Sequence, residues 1–169
     1  MPGEPSRTRL KLALELWSNY HSEHSLRAKF LTLVMALEVV APPTAKHDVA
    51  QAMVDRWNTE LTSELQRYAD GSEEREAIDS LRREVLFRRE RSVRSRIRKH
   101  VLEVIGAVTP DEAHQTAQLA VHAYDLRGSL LHTGTLTPTK LSDGHSAALK
   151  ALRTVLLASF GMSEQRGHV

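Results

Sequence analysis

Cysteine is absent from the chain, which excludes a disulfide framework, a thiolate nucleophile and thiolate metal ligands. Aromatic residues make up only 5% of the 169 positions, so Leu, Val and Ala must supply most of the packing. Long apolar runs are missing too. The longest, Leu31 to Ala41, is broken by Thr32 and Glu38 and falls well short of the roughly 20 residues that span a bilayer. The opening Met1-Pro2-Gly3-Glu4-Pro5 lacks the basic start and apolar stretch of a secretory signal, so the expected location is the cytoplasm, without a membrane. There is no Gly-rich phosphate loop, no Gly-x-Ser-x-Gly and no carboxylate pair of glycosidase character. His21 and His24 have metal-like spacing but no third ligand at suitable distance in sequence, and read as a polar turn.

What is present is ordinary globular composition, 41% hydrophobic and 26% charged. The length fits one domain over residues 1–169, with its core between about 7 and 161. The net charge of +2 is unevenly spread: from Arg82 to Lys99 nine basic residues face only Glu84 and Glu90. Arg88, Arg91, Arg98 and Lys99 are therefore candidates for contact with an RNA backbone. The competing reading is a solvated helix face neutralised by Glu73, Glu74, Glu76 and Asp79.

Apolar periodicity is helical throughout, and no run alternates with period two. A first helix is expected from about Arg7 to Asn19, and a second carries Leu26, Phe30, Leu33, Val34 and Leu37 until Pro42-Pro43 stops it. A third starts near Lys46, sets Val49, Met53, Trp57, Leu61, Leu65 and Tyr68 in register, and ends at Asp70-Gly71. Asp70 and Glu73 have the spacing of a capping box. Helical pattern then runs from about Glu74 to Ile105 with a break near Phe87 to Glu90. Leu86, Val93, Ile97, Val101 and Val104 share one face of it. Thr109-Pro110-Asp111-Glu112 is a helix start: a capping hydroxyl, Pro in the first turn, then acids at the positive end of the dipole. That helix is expected to reach Leu131 and end at Gly134. A loop from Thr133 to Gly144 then leads to a last helix closed by Gly161. The fold class is all-α, in six or seven helices.

The informative segment is Ala123-Tyr124-Asp125-Leu126-Arg127-Gly128-Ser129-Leu130-Leu131-His132-Thr133-Gly134. It resembles the HEPN superfamily, in particular the ApeA-like branch, whose hallmark is Arg, four to six intervening residues, then His. Arg127 and His132 match that hallmark. Arg27-Ala28-Lys29-Phe30-Leu31 with Ala36-Leu37-Glu38 resembles the branch's N-terminal signature, and Glu90 to Arg98 resembles its basic middle helix. Two departures stand out: Gly128 follows the Arg where a polar residue is usual, and Thr133 separates His132 from Gly134.

The resemblance implies an up-and-down helical bundle acting as a metal-independent endoribonuclease without cofactor. It implies a homodimer in which two Arg127/His132 pairs meet, in a toxin or antiphage setting with a neutralising partner or a fused sensor domain. The rival expectation is a non-catalytic module of the same fold, serving dimerisation or nucleotide binding, or the effector end of a larger protein. Tyr124, Asp125 and Ser129 would support the site, with Ser129 orienting the imidazole. On an ideal helix Arg127 and His132 lie roughly 140° apart and about 7 Å along the axis, so one chain does not converge both on one phosphate, whereas two copies or a frayed last turn can. Ala113, Ala117, Ala120, Ala123 and Gly128 offer a small-residue face for close approach of a partner helix. Glu38, a carboxylate in the apolar second helix, calls for a cation. Arg127 is one candidate; another Arg, or an edge position that reaches solvent, are the others.

Overall fold

Seven α-helices account for all regular structure among the described residues: α1 Glu4–Ser22, α2 Leu26–Val40, α3 Asp48–Leu65, α4 Glu73–Phe87, α5 Val93–Gly106, α6 Pro110–Thr133 and α7 Pro138–Gln165. The structure is a computed structural model that describes residues 4–165, with side chains described from 7 to 161. The Met1–Gly3 start lies outside the described residues. No described helix is long and apolar enough to cross a membrane. The chain divides into two compact units, one holding α1, α2, α5, α6 and α7, the other spanning Pro43–Ser92 with α3 and α4.

In the first unit α2 is the central element. Phe30, Leu33, Val34, Ala36 and Leu37 are fully buried, because α2 packs on α1, α5, α6 and α7 and so has apolar neighbours around most of its circumference. Ile97, Val101 and Ile105 of α5 recur every fourth residue and form the seam with α6. Ala113, Ala117, Ala120 and Ala123 lie on the inner side of α6, and Ala147, Ala148 and Ala151 on that of α7. The α6 alanines expected to receive a partner helix are thus used within the chain, where small side chains let α5, α6 and α7 approach closely.

Two helix ends follow their local chemistry. Pro110 sits in the first turn of α6 with Asp111 and Glu112, although the Thr109 hydroxyl makes no capping bond. The same helix ends on Gly134 at φ +72°, whose N–H donates to Leu130 O at 2.9 Å, a left-handed cap that favours glycine. The expected 133–144 loop is mostly helix instead. Thr137 caps α7, its hydroxyl accepting from Lys140 N at 3.3 Å, and Pro138 occupies a first-turn position where its missing N–H costs nothing. Gly144 lies inside α7 at a close approach, where a Cβ would come within 3.0 Å of Leu126 Cδ1 and 3.1 Å of the Phe30 ring. Gly161 does not close α7, which continues to Gln165.

The second unit is a helical hairpin. α3 ends at Leu65, earlier than Gly71, because the Arg75 guanidinium donates to the carbonyls of Leu65 (2.9 Å) and Tyr68 (3.1 Å) and so satisfies a loosened last turn. The cap of α4 is Ser72, accepting from Arg75 N at 3.3 Å. Asp70 instead pairs with Arg75 at 3.1 Å, so the expected Asp70–Glu73 capping box does not form. Only Val54 is buried in α3 and nothing in α4, while Val49, Met53 and Trp57 of the expected apolar face are exposed. Helix breaks at 88–92, as the sequence suggests, and an antiparallel bridge joins Ala45 to Glu90.

Candidate functional site

α6 brings Arg127 beside α2. Its Nε lies 3.5 Å from Glu38 Oε1, with the two side chains 29% and 24% exposed. The guanidinium carbon sits 6.0 Å from the centre of the Tyr124 ring one turn earlier, at the limit of a cation–π contact. Glu38 thus has the cation its apolar setting requires, but the contact is an ion pair rather than a hydrogen bond, and Glu38 Oε1 is buried with no hydrogen-bond partner. Burial raises the Glu38 pKa above its ordinary value; the positive charges of Arg127 and then Arg96 offset this only in part. A carboxylate between two guanidiniums normally acidifies, so desolvation dominates here.

Asp125 and Ser129 do other work. Asp125 takes a shared bond from Arg94 Nε of α5, at 2.9 and 3.2 Å, and so ties α6 to α5. The Ser129 hydroxyl donates back along the helix to Asp125 O at 3.2 Å and is not turned to orient His132. The single Thr133 hydroxyl proton is shared between Ser129 O at 2.8 Å and Thr135 O at 2.9 Å, fastening the end of α6 to the following turn. His132 is exposed on that last turn. At Gly128 an added Cβ would meet nothing within 4 Å, so the helix surface between Arg127 and His132 is open. The structure therefore gathers Glu38, Tyr124 and Arg127, and leaves His132 free on the outer turn.

The four basic candidates do not form one helix face. Arg88 caps the C-terminus of α4. Arg91 is held by its backbone N–H on Thr44 O (2.9 Å) and its side chain on Ala45 O (3.3 Å). Arg98 and Lys99 belong to α5, where Lys99 pairs with Glu103 at 3.5 Å. The expected neutralisation of this set by Asp79 does not occur either, since Asp79 binds Arg82 and Arg83 on its own helix. The break in helix at 88–92 leaves Arg88 and Arg91 in the unit that spans Pro43–Ser92, and Arg98 and Lys99 on α5 of the other.

Two groupings escaped sequence reasoning. Arg96 acts on Glu38 from α5. A helical wheel signals it, since Arg96 falls between Val93 and His100 on the flank of the Ile97–Val101 stripe. The second joins three helices: Tyr20 OH of α1 lies 3.1 Å from His145 Nε2 of α7 with the rings stacked 5.7 Å apart, and Lys29 Nζ of α2 sits 5.5 Å over the Tyr20 ring. Burial, then the Lys29 charge, lowers the His145 pKa. No spacing in the sequence links residues 125 positions apart. His21 packs on Trp17 and Tyr20, and among the described residues no three His, Asp or Glu side chains are placed to hold a metal. The chain matches no protein-family model, no curated protein and no solved structure.

Proposed function

We propose that this chain is a HEPN-type, metal-independent endoribonuclease whose active centre is completed by a second copy, with Arg127 and His132 as the reacting pair. The observation that carries the reading is the setting of Arg127. It is half-buried, held between Glu38 and Tyr124, and adjoins an open helix surface at Gly128 with His132 exposed one turn on. Two copies supply two imidazoles and two guanidiniums. One His132 takes the proton of an RNA 2′-hydroxyl as its oxygen attacks the neighbouring phosphorus. The other gives a proton to the departing 5′-oxygen, and Arg127 balances the charge of the phosphorane. The products are a 2′,3′-cyclic phosphate and a 5′-hydroxyl. Histidine suits both proton transfers near neutral pH, and arginine stays charged and binds phosphate oxygens in a fork.

The test is incubation of purified protein with total RNA and a chelator. Cyclic-phosphate ends are expected, and His132→Ala should slow their appearance by about 10²- to 10⁴-fold while mass and helicity hold. Equal cleavage by wild type and His132→Ala overturns the assignment. The Glu38–Arg127 pair also suits a second reading, a non-catalytic dimerisation or nucleotide-binding module in which Arg127 is a structural cation. A dimer by light scattering that is inert toward RNA, and that gains cutting in Gly128→Asn, decides for that reading.

A further inference from the structure

We propose that the apolar stripe of Val49, Met53 and Trp57 on α3 is a self-association surface, against which α3 of a second copy packs antiparallel about a two-fold axis at Met53. The inference is independent of the reading above, which concerns other residues on other helices.

The hairpin leaves this stripe in water. Val49, Met53 and Trp57 follow one another at four-residue steps and so stand on one face of α3. They are 67%, 42% and 44% exposed, while Val54 is the one described residue of this helix that is buried. The two ends of the stripe differ in charge, and this points to the occupant. Lys46 precedes it, its backbone fixed by N–H to Arg89 O and by Gln51 Nε2 to its own carbonyl, both at 2.9 Å. Glu60 continues the stripe one turn after Trp57. Neither side chain enters an ion pair among the described residues. A second α3 laid antiparallel with the axis at Met53 sets residues equally far before and after that position against each other. Val49 then meets the partner's Trp57, and Lys46 meets the partner's Glu60. The narrowest side chain of the stripe faces the broadest, and opposite charges close both ends, as a self-complementary two-fold contact requires. Parallel pairing would instead set Lys46 on Lys46 and Glu60 on Glu60. Tryptophan is a residue type that carries much of the energy of such contacts. With three apolar side chains per copy the contact is small and belongs with weak, reversible interfaces.

Because the chain has no cysteine, a single introduced thiol reports on one position. Met53→Cys and Phe87→Cys are oxidised under the same mild conditions, Phe87 being 83% exposed on α4 of the same unit. A residue on a two-fold axis meets its own copy within disulfide reach. Met53→Cys should therefore form a covalent dimer about tenfold faster than Phe87→Cys, despite its lower exposure. In the Met53→Cys background, Lys46→Glu and Glu60→Lys each set like charges together at both ends of the contact. Either should slow trapping about fivefold at low salt, and the double exchange should restore the rate. That rescue separates pairing between copies from a local effect of either charge. Equal trapping of the two thiols reports random collision and overturns the proposal. A disulfide at Phe87→Cys with none at Met53→Cys shows the stripe covered by something other than a second copy, and also overturns it. Selective trapping that ignores both charge changes overturns the antiparallel register. Should Met53→Cys fail to fold, wild-type protein is mixed as isotope-labelled and unlabelled copies and treated with a carbodiimide, which joins an amine directly to a carboxylate. A Lys46–Glu60 crosslink between labelled and unlabelled chains is expected, and its absence from the crosslinked dimer overturns the proposal.

Discussion

The two units use the same helical periodicity to opposite effect. In the first, five helices share one interior, and Phe30, Leu33, Leu37, Ile97, Ile105 and Leu152 are sealed from water. In the hairpin, α3 and α4 have one seam between them, and of their side chains only Val54 is buried. Polar links hold the hairpin instead: Arg89 to Asp55, Arg75 to the carbonyls of Leu65 and Tyr68, and the strand-like pairing of 44–46 with 89–91. An apolar stripe on a helix is thus only an offer of burial, and the number of helices meeting there decides how much is taken up. Exposed ion pairs contribute about 0–1 kcal/mol each, so the hairpin is expected to be the less stable part.

The largest test of this contrast is truncation in each unit. Leu33→Ala removes a fully buried side chain at the centre of α2 and should cost about 2–5 kcal/mol in urea unfolding. Trp57→Ala removes a larger side chain that is 44% exposed, and should cost about 1 kcal/mol or less. Comparable losses at the two sites would break the comparison. Hydrogen exchange sharpens it further: α3 and α4 amides should exchange through local opening well below the free energy that frees those of α2. A single common value for both units would show one cooperative block.

A smaller effect is expected at Gly144. A Cβ there meets Phe30 and Leu126 at 3.0–3.2 Å, and Phe30 is enclosed and has little room to yield. Gly144→Val should therefore cost about 1–3 kcal/mol by overpacking. Glycine's poor helix propensity, about 1 kcal/mol against Ala, offsets less of this for a β-branched residue. Gly161→Ala, with nothing within 4 Å of the added Cβ, should be neutral or slightly stabilising, and a cost there equal to that at Gly144 would refute the packing account.

These sites also mark what could be read in advance. The stop of α2 at Pro42-Pro43, the start of α6 at Pro110, its end at Gly134 and the break near 88–92 all rest on local backbone chemistry, and the sequence carries each. Gly144 and Pro138 misled because composition reports flexibility, whereas a helix start and a close approach to Phe30 are set by neighbours. Val49, Met53 and Trp57 were legible as a face but not as an exposed one. At the candidate site Glu38 signalled its need for a cation, and Arg127 is the residue that meets it. A helical wheel places Arg96 on the flank of the α5 stripe, but which carboxylate it acts on, like the Tyr20–His145 contact, depends on tertiary placement, which no spacing along the chain encodes.

The smallest predicted effect is a pH dependence of the first unit. His145 and His100 both have pKa values lowered in the folded state, His145 by burial and then Lys29, His100 by burial against an opposing pull from Glu103. A group whose folded pKa lies below its unfolded value binds fewer protons when folded, so stability is full above about pH 6.5 and declines as pH falls toward the folded pKa. The Tyr20 hydroxyl donates to Nε2 when that nitrogen is unprotonated and accepts from it when it carries a proton, so the contact survives in either form. Glu38 works the other way. Its raised pKa means that the folded state takes up a proton before the unfolded chain does, so the cost of the buried carboxylate is relieved as pH falls toward about 4.5. Urea midpoints should therefore drop between pH 7.5 and 5.5. His145→Gln, which cannot titrate, should flatten part of that slope while lowering stability at pH 7.5 by about 1 kcal/mol or less through an altered Tyr20 contact. Glu38→Gln should leave the histidine slope intact and alter the profile only on its acid side. An unchanged slope in His145→Gln would assign the acid sensitivity to His100 alone and leave the Tyr20–His145 contact a packing feature.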